Sequence, residues 1–270
     1  MIRINSPDFN IDQIADSGQC FRIRKISPET RLAAAGNRFL RIHAEENGAY
    51  VLECSPEEYR EIWFDYFDMQ RDYAKIKKEI KSAGDAYLAA AVDYGGGIRI
   101  LRQNPWETAV TFIISQRNNI PRIKSIIERL CEPCGGCFPS PDLLAKYTVK
   151  DFLSFGLGYR AEYLRNISEA VVNGELNFET PKRMSCRDAV NFLKKFKGIG
   201  DKVANCIALF GLHKTEAFPI DVWIRRIADN RYGGTFDTES FRGYAGIVQQ
   251  YMFFYERSLS KNAKPKDAAT

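Results

Sequence analysis

Residues 191–212 read NFLKKFKGIGDKVANCIALFGL. Two amphipathic helical patterns flank Gly198-Ile199-Gly200, whose glycines allow a tight turn with backbone amides free to meet an anion. Three lysines precede the turn: Lys194, Lys195 and Lys197. They add the sequence-independent attraction that DNA phosphates exert on cations. The pattern predicts a helix, a hairpin turn and a second helix over residues 186–212 that bind a DNA backbone, although a Gly-x-Gly turn alone would favour an ordinary helix pair.

Lys202 lies in the first turn of the second predicted helix, where the helix dipole disfavours a cation and acidic residues are usual. Violations of local rules concentrate at functional sites. The same dipole favours the neutral amine, which is the nucleophilic form. For Lys202 taken alone, a surface lysine that reaches a phosphate or extends into water is the better interpretation.

Asp221 follows in Phe218-Pro219-Ile220-Asp221, just before the helical pattern of residues 222–227. We expect it at a helix N-terminus, where the dipole keeps a carboxylate ionised and able to stabilise positive charge on a sugar. The alternative is a helix cap without chemistry. Arg225 and Arg226 either neutralise phosphates or solvate the helix face.

The remaining patterning predicts an α+β protein. Alternation over residues 18–24, 30–35, 38–43 and 50–54 indicates strands of a small antiparallel sheet. From Ser55-Pro56 the spacing becomes helical, with breaks at glycine and proline clusters. We therefore predict three segments: an N-terminal α+β domain over 1–84, a mainly helical domain over 85–260, and a disordered tail over 261–270.

Composition limits the function classes. The 270 residues are 45% hydrophobic and 27% charged, which is ordinary globular composition, and the net charge of +5 permits a polyanionic partner without demanding one. No apolar run approaches the roughly 18 to 20 residues that span a bilayer. The polar, acidic N-terminus does not resemble a secretory signal. We expect a cytoplasmic protein of a prokaryote that does not interact with membranes.

Cysteine and histidine usage argues against a metal centre. Seven cysteines is an odd number, which favours reduced thiols, and two histidines supply little for a metal site or a conventional triad. Cys131, Cys134 and Cys137 form CxxCxxC, a spacing found in metal and iron–sulfur sites. The run lacks a fourth nearby ligand, and Cys131 fits the preceding helix. We predict no metal and no cofactor.

The Gly-Ile-Gly hairpin, the lysine at the start of the next helix and the Pro-x-Asp about twenty residues later resemble the helix-hairpin-helix DNA glycosylase superfamily. Further matching stretches over nearly the whole chain resemble its 8-oxoguanine DNA glycosylases. The resemblance implies that Lys202 attacks C1′ of a flipped nucleotide with the help of Asp221. The Schiff base that results implies strand scission by β-elimination, and the partner implied is double-stranded DNA containing 8-oxoguanine, bound by a nucleoid-associated monomer.

The resemblance also implies a base-binding set. The Gly18 carbonyl would accept the N7 hydrogen that only oxidised guanine carries, whereas normal guanine would leave two facing acceptors, at a cost of about 1 to 3 kcal/mol. Gln249 would bond the base edge and Phe253 would stack on the base. Cys206 would lie on the opposite face, and Pro219 would line the same site. Without the resemblance, core packing is the better interpretation of most of these residues.

DNA contacts follow from the same resemblance. Residues 117–122 resemble a loop that fills the gap left by the flipped base, with Tyr159 as a wedge beside it. The implied DNA-binding residues are Asn118, Arg122, Tyr159, Arg160, Gly198, Gly200 and Val203. Arg122 and Arg160 would read the orphaned cytosine, although alone they fit a solvated or phosphate-binding surface. Arg117 stands where the family pattern has asparagine, which leaves the strictness of the cytosine requirement open.

Three functions fit these residues: an 8-oxoguanine glycosylase with lyase activity, a glycosylase for alkylated or other damaged bases, and a noncatalytic helix-hairpin-helix DNA-binding module. The matches at Gly18, Gln249 and Phe253 favour the first over the second. The pairing of Lys202 with Asp221 argues against the third. The sequence therefore predicts a bifunctional base-excising enzyme.

Overall fold

The computed structural model describes residues 1–262, in which an antiparallel sheet precedes an array of helices. The strands of the sheet are β1 (Ile2–Ile4), β2 (Ile23–Lys25), β3 (Thr30–Ala35), β4 (Arg38–Ala44) and β5 (Tyr50–Leu52). Their order is β1-β5-β4-β3-β2, and all neighbours are antiparallel. This arrangement confirms the predicted α+β class.

Helices make up most of the rest of the described chain. They are α1 (Ile11–Asp16), α2 (Pro56–Glu58), α3 (Phe64–Tyr66), α4 (Tyr73–Ser82), α5 (Ala86–Gly95), α6 (Pro105–Ser115), α7 (Ile120–Cys131), α8 (Pro141–Ala145), α9 (Val149–Ser154), α10 (Arg160–Val172), α11 (Glu179–Arg183), α12 (Cys186–Leu193), α13 (Asp201–Cys206), α14 (Val222–Arg231) and α15 (Ala245–Asn262). A π-helical turn, Tyr59–Trp63, joins α2 to α3, and another, Ile207–Gly211, extends α13. Of the predicted tail, residues 263–270 lie outside the described residues. None of the helices in residues 1–262 is both long and apolar enough to cross a membrane.

The predicted strand over residues 18–24 is largely wrong. Helix α1 ends at Asp16, Ser17 caps it, and Gly18 follows in the left-handed conformation with φ of +76°. Glycine tolerates that conformation, which commonly ends a helix. Pairing begins only at Ile23, whereas β3, β4 and β5 lie where the alternation predicts them. Strand β1, Ile2–Ile4, was not predicted.

Two buried clusters fill the interior. One lies between the sheet and the aromatic segment around α3, with Leu40, Trp63 and Phe67 fully buried. The larger one fills the helical array, and α4 and α5 contribute to it. Helix α5 packs against both α4 and α15. The predicted division at residue 84 stays a prediction.

Asp68 joins the N-terminal segment to the helices. Its side chain is fully buried, forms ion pairs with Arg71 at 2.8 Å and Arg102 at 3.2 Å, and lies 3.2 Å from His213 Nε2. Burial raises the pKa of this carboxyl, but His213 and Arg71 outweigh burial, so that the pKa is lowered overall. Because Arg102 precedes α6 and His213 follows the turn after α13, this network fixes both helices relative to α3.

We expect Asp68→Asn to lower the free energy of unfolding by about 3 kcal/mol, because it removes a fully buried carboxylate from the half-buried Arg71 and Arg102. Asp65→Asn is the matched control, since Asp65 also pairs with Arg102 at 3.2 Å but is 63% exposed. The control should change the free energy by about 0.5 kcal/mol or less. The lowered pKa makes the Asp68 contribution fully present above about pH 4 and lost as the pH falls through the folded-state pKa. Urea unfolding at two pH values measures this, and equal effects of both variants would contradict it.

Candidate active site

The predicted hairpin is present. Helices α12 and α13 flank the turn, in which Ile199 is buried and Gly198 has φ of +95°. A Cβ on Gly198 would lie 2.6 Å from the Tyr163 side chain, so only glycine lets the turn approach α10 so closely. Two of the three lysines of the motif are paired, Lys194 with Asp201 at 2.5 Å and Lys197 with Glu162 at 3.6 Å.

A cavity of about 750 Å³ opens between α13, the end of α6, the start of α14 and α15. The predicted catalytic and base-binding residues all line it: Gly18, Lys202, Cys206, Pro219, Asp221, Gln249 and Phe253. Asn118, Gly200 and Val203 line it as well. Residues far apart in sequence therefore meet at one concave site of the size that binds small molecules.

Lys202 lies inside this cavity, half-buried. Its Nζ donates to Ser115 Oγ at 3.1 Å and lies 4.9 Å from the centre of the Phe112 ring. Cys206 follows one turn later on the same helix. Burial raises the pKa of its thiol to about 11, so that it stays protonated beside the lysine.

Asp221 caps α14, as its position predicts. Its Oδ1 accepts hydrogen bonds from the amides of Trp223 at 3.0 Å and Ile224 at 2.9 Å. Burial raises the pKa of the carboxyl, and the amides and Lys202 offset that rise only in part. The prediction from the helix dipole left out burial, which here has the larger effect.

Two pairs of the predicted base-binding residues are in contact, Gly18 with Phe253 and Gln249 with Pro219. A Cβ on Gly18 would lie 2.9 Å from the Phe253 ring, so the Gly18 backbone borders the face of that ring. Gln249 is 3% exposed and donates through Nε2 to the Pro219 carbonyl at 3.1 Å. Its Oε1 accepts from Gln250 Nε2 at 2.9 Å. The Gln249 amide is thus held in one orientation.

Of the other predicted DNA contacts, Arg122 and Tyr159 are exposed outside the cavity lining. Arg122 is exposed in the first turn of α7, and Tyr159 is 50% exposed just before α10. Asn118 donates to the Ile114 carbonyl at 3.2 Å. Arg117 is exposed with φ of +46°, a conformation in which asparagine is far more frequent than arginine.

Arg160 is buried at the start of α10. It is 4% exposed, and its guanidinium donates to the carbonyls of Gln116 at 2.9 Å, Leu157 at 3.2 Å and Arg117 at 3.2 Å. These bonds hold the turn that follows α6, because a buried arginine must satisfy its donors. The contact of Arg160 with the orphaned cytosine stays a prediction.

Sequence reasoning missed three residues of the site: Ser115, Gln116 and Gln250. Each contacts a predicted site residue or the neighbour of one. The local sequence around each is ordinary for its helix and gives no sign of a functional role. Cys131 ends α7, as predicted, and is buried. Within residues 1–262, no three His, Cys, Asp or Glu side chains are arranged to hold a metal ion.

Family comparisons match both parts of the chain. Residues 1–109 match the 8-oxoguanine DNA glycosylase N-terminal domain, and residues 110–240 match the HhH-GPD superfamily of base excision DNA repair proteins. Fold and site therefore define a base excision DNA repair protein of the helix-hairpin-helix class. Within that class, the chain belongs to the 8-oxoguanine DNA glycosylase family.

Individual relatives agree with this placement. The probable N-glycosylase/DNA lyase of Methanothermobacter thermautotrophicus is 30% identical over 212 residues, 64% of this chain and 68% of that protein. The N-glycosylase/DNA lyase of Saccharomyces cerevisiae is 37% identical over 158 residues, 50% of this chain but only 42% of that protein. The Clostridium acetobutylicum 8-oxoguanine glycosylase/lyase, solved with double-stranded DNA containing cytosine opposite 8-oxoguanine, is 35% identical with a TM-score of 0.86. That match covers 94% of this chain and 93% of the other.

Proposed function

We propose that this protein is a bifunctional DNA repair glycosylase, which excises 8-oxoguanine from double-stranded DNA and then cleaves the strand as an AP lyase. The observation that carries the proposal is the single cavity in which Lys202 and Asp221 lie beside Gly18, Gln249 and Phe253. The printed names of the relatives, N-glycosylase/DNA lyase and 8-oxoguanine glycosylase/lyase, support both activities. One chain forms the whole cavity, which supports action as a monomer.

In this proposal Lys202 is the nucleophile. Its neutral amine forms a bond to C1′ of the flipped nucleotide while the bond from C1′ to N9 breaks, and the base leaves with the electron pair and takes up a proton. The Asp221 carboxylate stabilises the positive charge that develops on the sugar. Opening of the sugar ring gives the imine between Lys202 and C1′. Loss of a C2′ proton then expels the 3′ phosphate and breaks the strand.

In this proposal Gly18, Phe253 and Gln249 select the base. The Gly18 carbonyl accepts the N7 hydrogen of 8-oxoguanine, and normal guanine is rejected because it leaves that carbonyl facing another acceptor. Phe253 stacks on the base, and Gln249 bonds its edge. Tyr159 occupies the gap in the duplex, with Arg122 near the orphaned base.

The direct test uses duplexes that carry 8-oxoguanine opposite each of the four bases, and matched duplexes with an alkylated purine. We expect release of 8-oxoguanine followed by strand scission, with little release of the alkylated purine. Preference for the alkylated purine would contradict the proposal. The opposite-base profile would also show what Arg117 contributes in place of the asparagine of the family pattern.

Gly18→Ala tests the base-reading role of this backbone. The new methyl group would have to displace the Phe253 ring, and alanine is strained at φ of +76°. We expect excision of 8-oxoguanine to slow by about 10-fold to 100-fold, the scale of a misplaced contact. Strand scission at a preformed abasic site should be nearly unchanged, because no base remains to be read. Equal losses on both substrates would contradict this role.

A further inference from the structure

Ser115, the last residue of α6, contacts the proposed nucleophile directly. Lys202 Nζ lies 3.1 Å from Ser115 Oγ, and the same hydroxyl lies 2.8 Å from the Phe112 carbonyl, to which it donates. A serine hydroxyl has a single hydrogen. Because that hydrogen goes to Phe112, Ser115 can only accept from Lys202.

This direction matters for the attack on C1′. With one N–H held by Ser115 and the Phe112 ring on a neighbouring side, the lone pair of the neutral amine is left for the cavity. We propose that Ser115 is a positioning residue, which orients Lys202 for nucleophilic attack. The inference rests on the proposed function, since it needs Lys202 to be the nucleophile.

Hydrogen bonds fix the end of α6, where Ser115 lies. Gln116 Nε2 donates to the Gly198 carbonyl of the hairpin at 3.0 Å, and the Gln116 carbonyl accepts from Arg160 Nε at 2.9 Å. The Tyr159 hydroxyl donates to the same carbonyl at 3.2 Å. The α6 terminus is thereby fixed to the turn before Lys202 and to the start of α10, so the Ser115 hydroxyl has a defined place.

The test compares Ser115→Ala and Ser115→Thr with wild type. Under single-turnover conditions with 8-oxoguanine DNA, Ser115→Ala should slow borohydride trapping by about 100-fold, the scale of a misaligned reacting group. The Kd for DNA with a tetrahydrofuran abasic analogue should not change, and threonine, which keeps the hydroxyl, should restore the rate. Ser82→Ala is the matched control, since Ser82 also ends a helix and donates to the carbonyl three residues earlier, Glu79, at 2.8 Å.

Two outcomes would overturn the role of Ser115. One is wild-type trapping by Ser115→Ala while Lys202→Ala gives none. The other is a rate loss that threonine does not restore and that parallels weaker binding of the analogue. No trapping by the wild-type protein would instead overturn the proposed function itself.

A second inference concerns Gln250, which neighbours Gln249 on α15. Both side chains are 3% exposed. The two ends of the Gln249 amide are bonded to different partners: Oε1 accepts from Gln250 Nε2, and Nε2 donates to the Pro219 carbonyl. Within the described residues, Gln250 Oε1 is buried without a hydrogen-bond partner. A buried unpaired acceptor destabilises a fold. A leucine of similar size would pack there without that cost.

We infer that Gln250 is a specificity-determining positioning residue for the same proposed site. It fixes the carbonyl end of the Gln249 amide, so that Gln249 presents one donor and acceptor pattern to the base edge. Without Gln250, the Gln249 amide group can rotate and form hydrogen bonds with bases that present a different donor and acceptor pattern.

Gln250→Leu separates this role from a structural one, with Met252→Leu on the same helix as the packing control. We expect the ratio of 8-oxoguanine excision to 8-oxoadenine excision to fall by about tenfold, the scale of one lost hydrogen bond. The Tm should stay the same or rise, because the unpaired acceptor is gone. Strand scission at abasic sites should not change. An unchanged ratio, or a ratio that falls only together with the Tm, would overturn the inference.

Discussion

Lys202→Ala is expected to abolish the covalent adduct with DNA and to slow base excision by roughly 10⁴-fold or more, the scale of removing an enzymic nucleophile. The reason is chemical, because the remaining site has no amine that can replace the base at C1′. Alanine suits the first turn of α13, and Ser115 keeps its bond to the Phe112 carbonyl when Lys202 is removed, so the fold should persist. Single-turnover excision and borohydride trapping on 8-oxoguanine DNA measure the two losses.

Lys195→Ala is the control for charge at the hairpin. Lys195 is exposed before the turn and lies 5.8 Å from the Phe192 ring, outside the cavity. Loss of Lys195 should weaken DNA binding and reduce the salt dependence of that binding. The covalent adduct with DNA should still form. A Lys202→Ala protein that still traps on DNA, or a Lys195→Ala protein that does not, would contradict the assignment.

Asp221→Asn is expected to slow excision by about 10²-fold to 10³-fold, the usual effect of removing electrostatic stabilisation of a transition state. Asparagine keeps a side-chain oxygen for the amides of Trp223 and Ile224, so the cap of α14 survives. Since the ionised carboxylate is the active form and burial raises its pKa, the wild-type rate should rise as the pH rises through that raised pKa. The variant should lack this limb of the pH profile.

Stability distinguishes this effect from damage to the fold. A carboxyl whose folded-state pKa is raised contributes stability below its unfolded pKa and loses it as the pH rises through the folded pKa. At neutral pH the ionised Asp221 therefore destabilises the folded state. The Asp221→Asn protein should unfold at the same denaturant concentration as wild type or at a higher one. Slow excision together with reduced stability, or a variant that keeps the pH limb, would contradict this account.

The features predictable from sequence are those in which a local pattern has one physical meaning. Two glycines around Ile199 mark the hairpin because few other turns fit, and Ser55-Pro56 marks a helix start because the serine caps it. Strands β3 and β4 were found because their alternation is long enough to detect. Lys202 stood out because its position opposes the helix dipole.

The rest depends on tertiary contacts that leave no local trace. Arg160 looks like any surface arginine, yet its neighbours bury it against carbonyls of the turn after α6. Ser115 acts only because α13 brings Lys202 to the end of α6. The pKa of Asp221 is set by burial, which a helix-dipole argument does not include. Gly18 was taken for a strand residue because a short helix before it carries little periodicity.

Identifying the residue that forms the Schiff base tests directly whether Lys202 is the nucleophile. The wild-type protein is trapped with borohydride on a duplex carrying 8-oxoguanine, digested with protease and nuclease, and the modified peptide is sequenced by mass spectrometry. We predict a reduced sugar adduct on Lys202, within the peptide that follows the Gly198-Ile199-Gly200 turn. An adduct on Lys194, Lys195 or Lys197, or a protein that releases 8-oxoguanine without any adduct, would contradict the account.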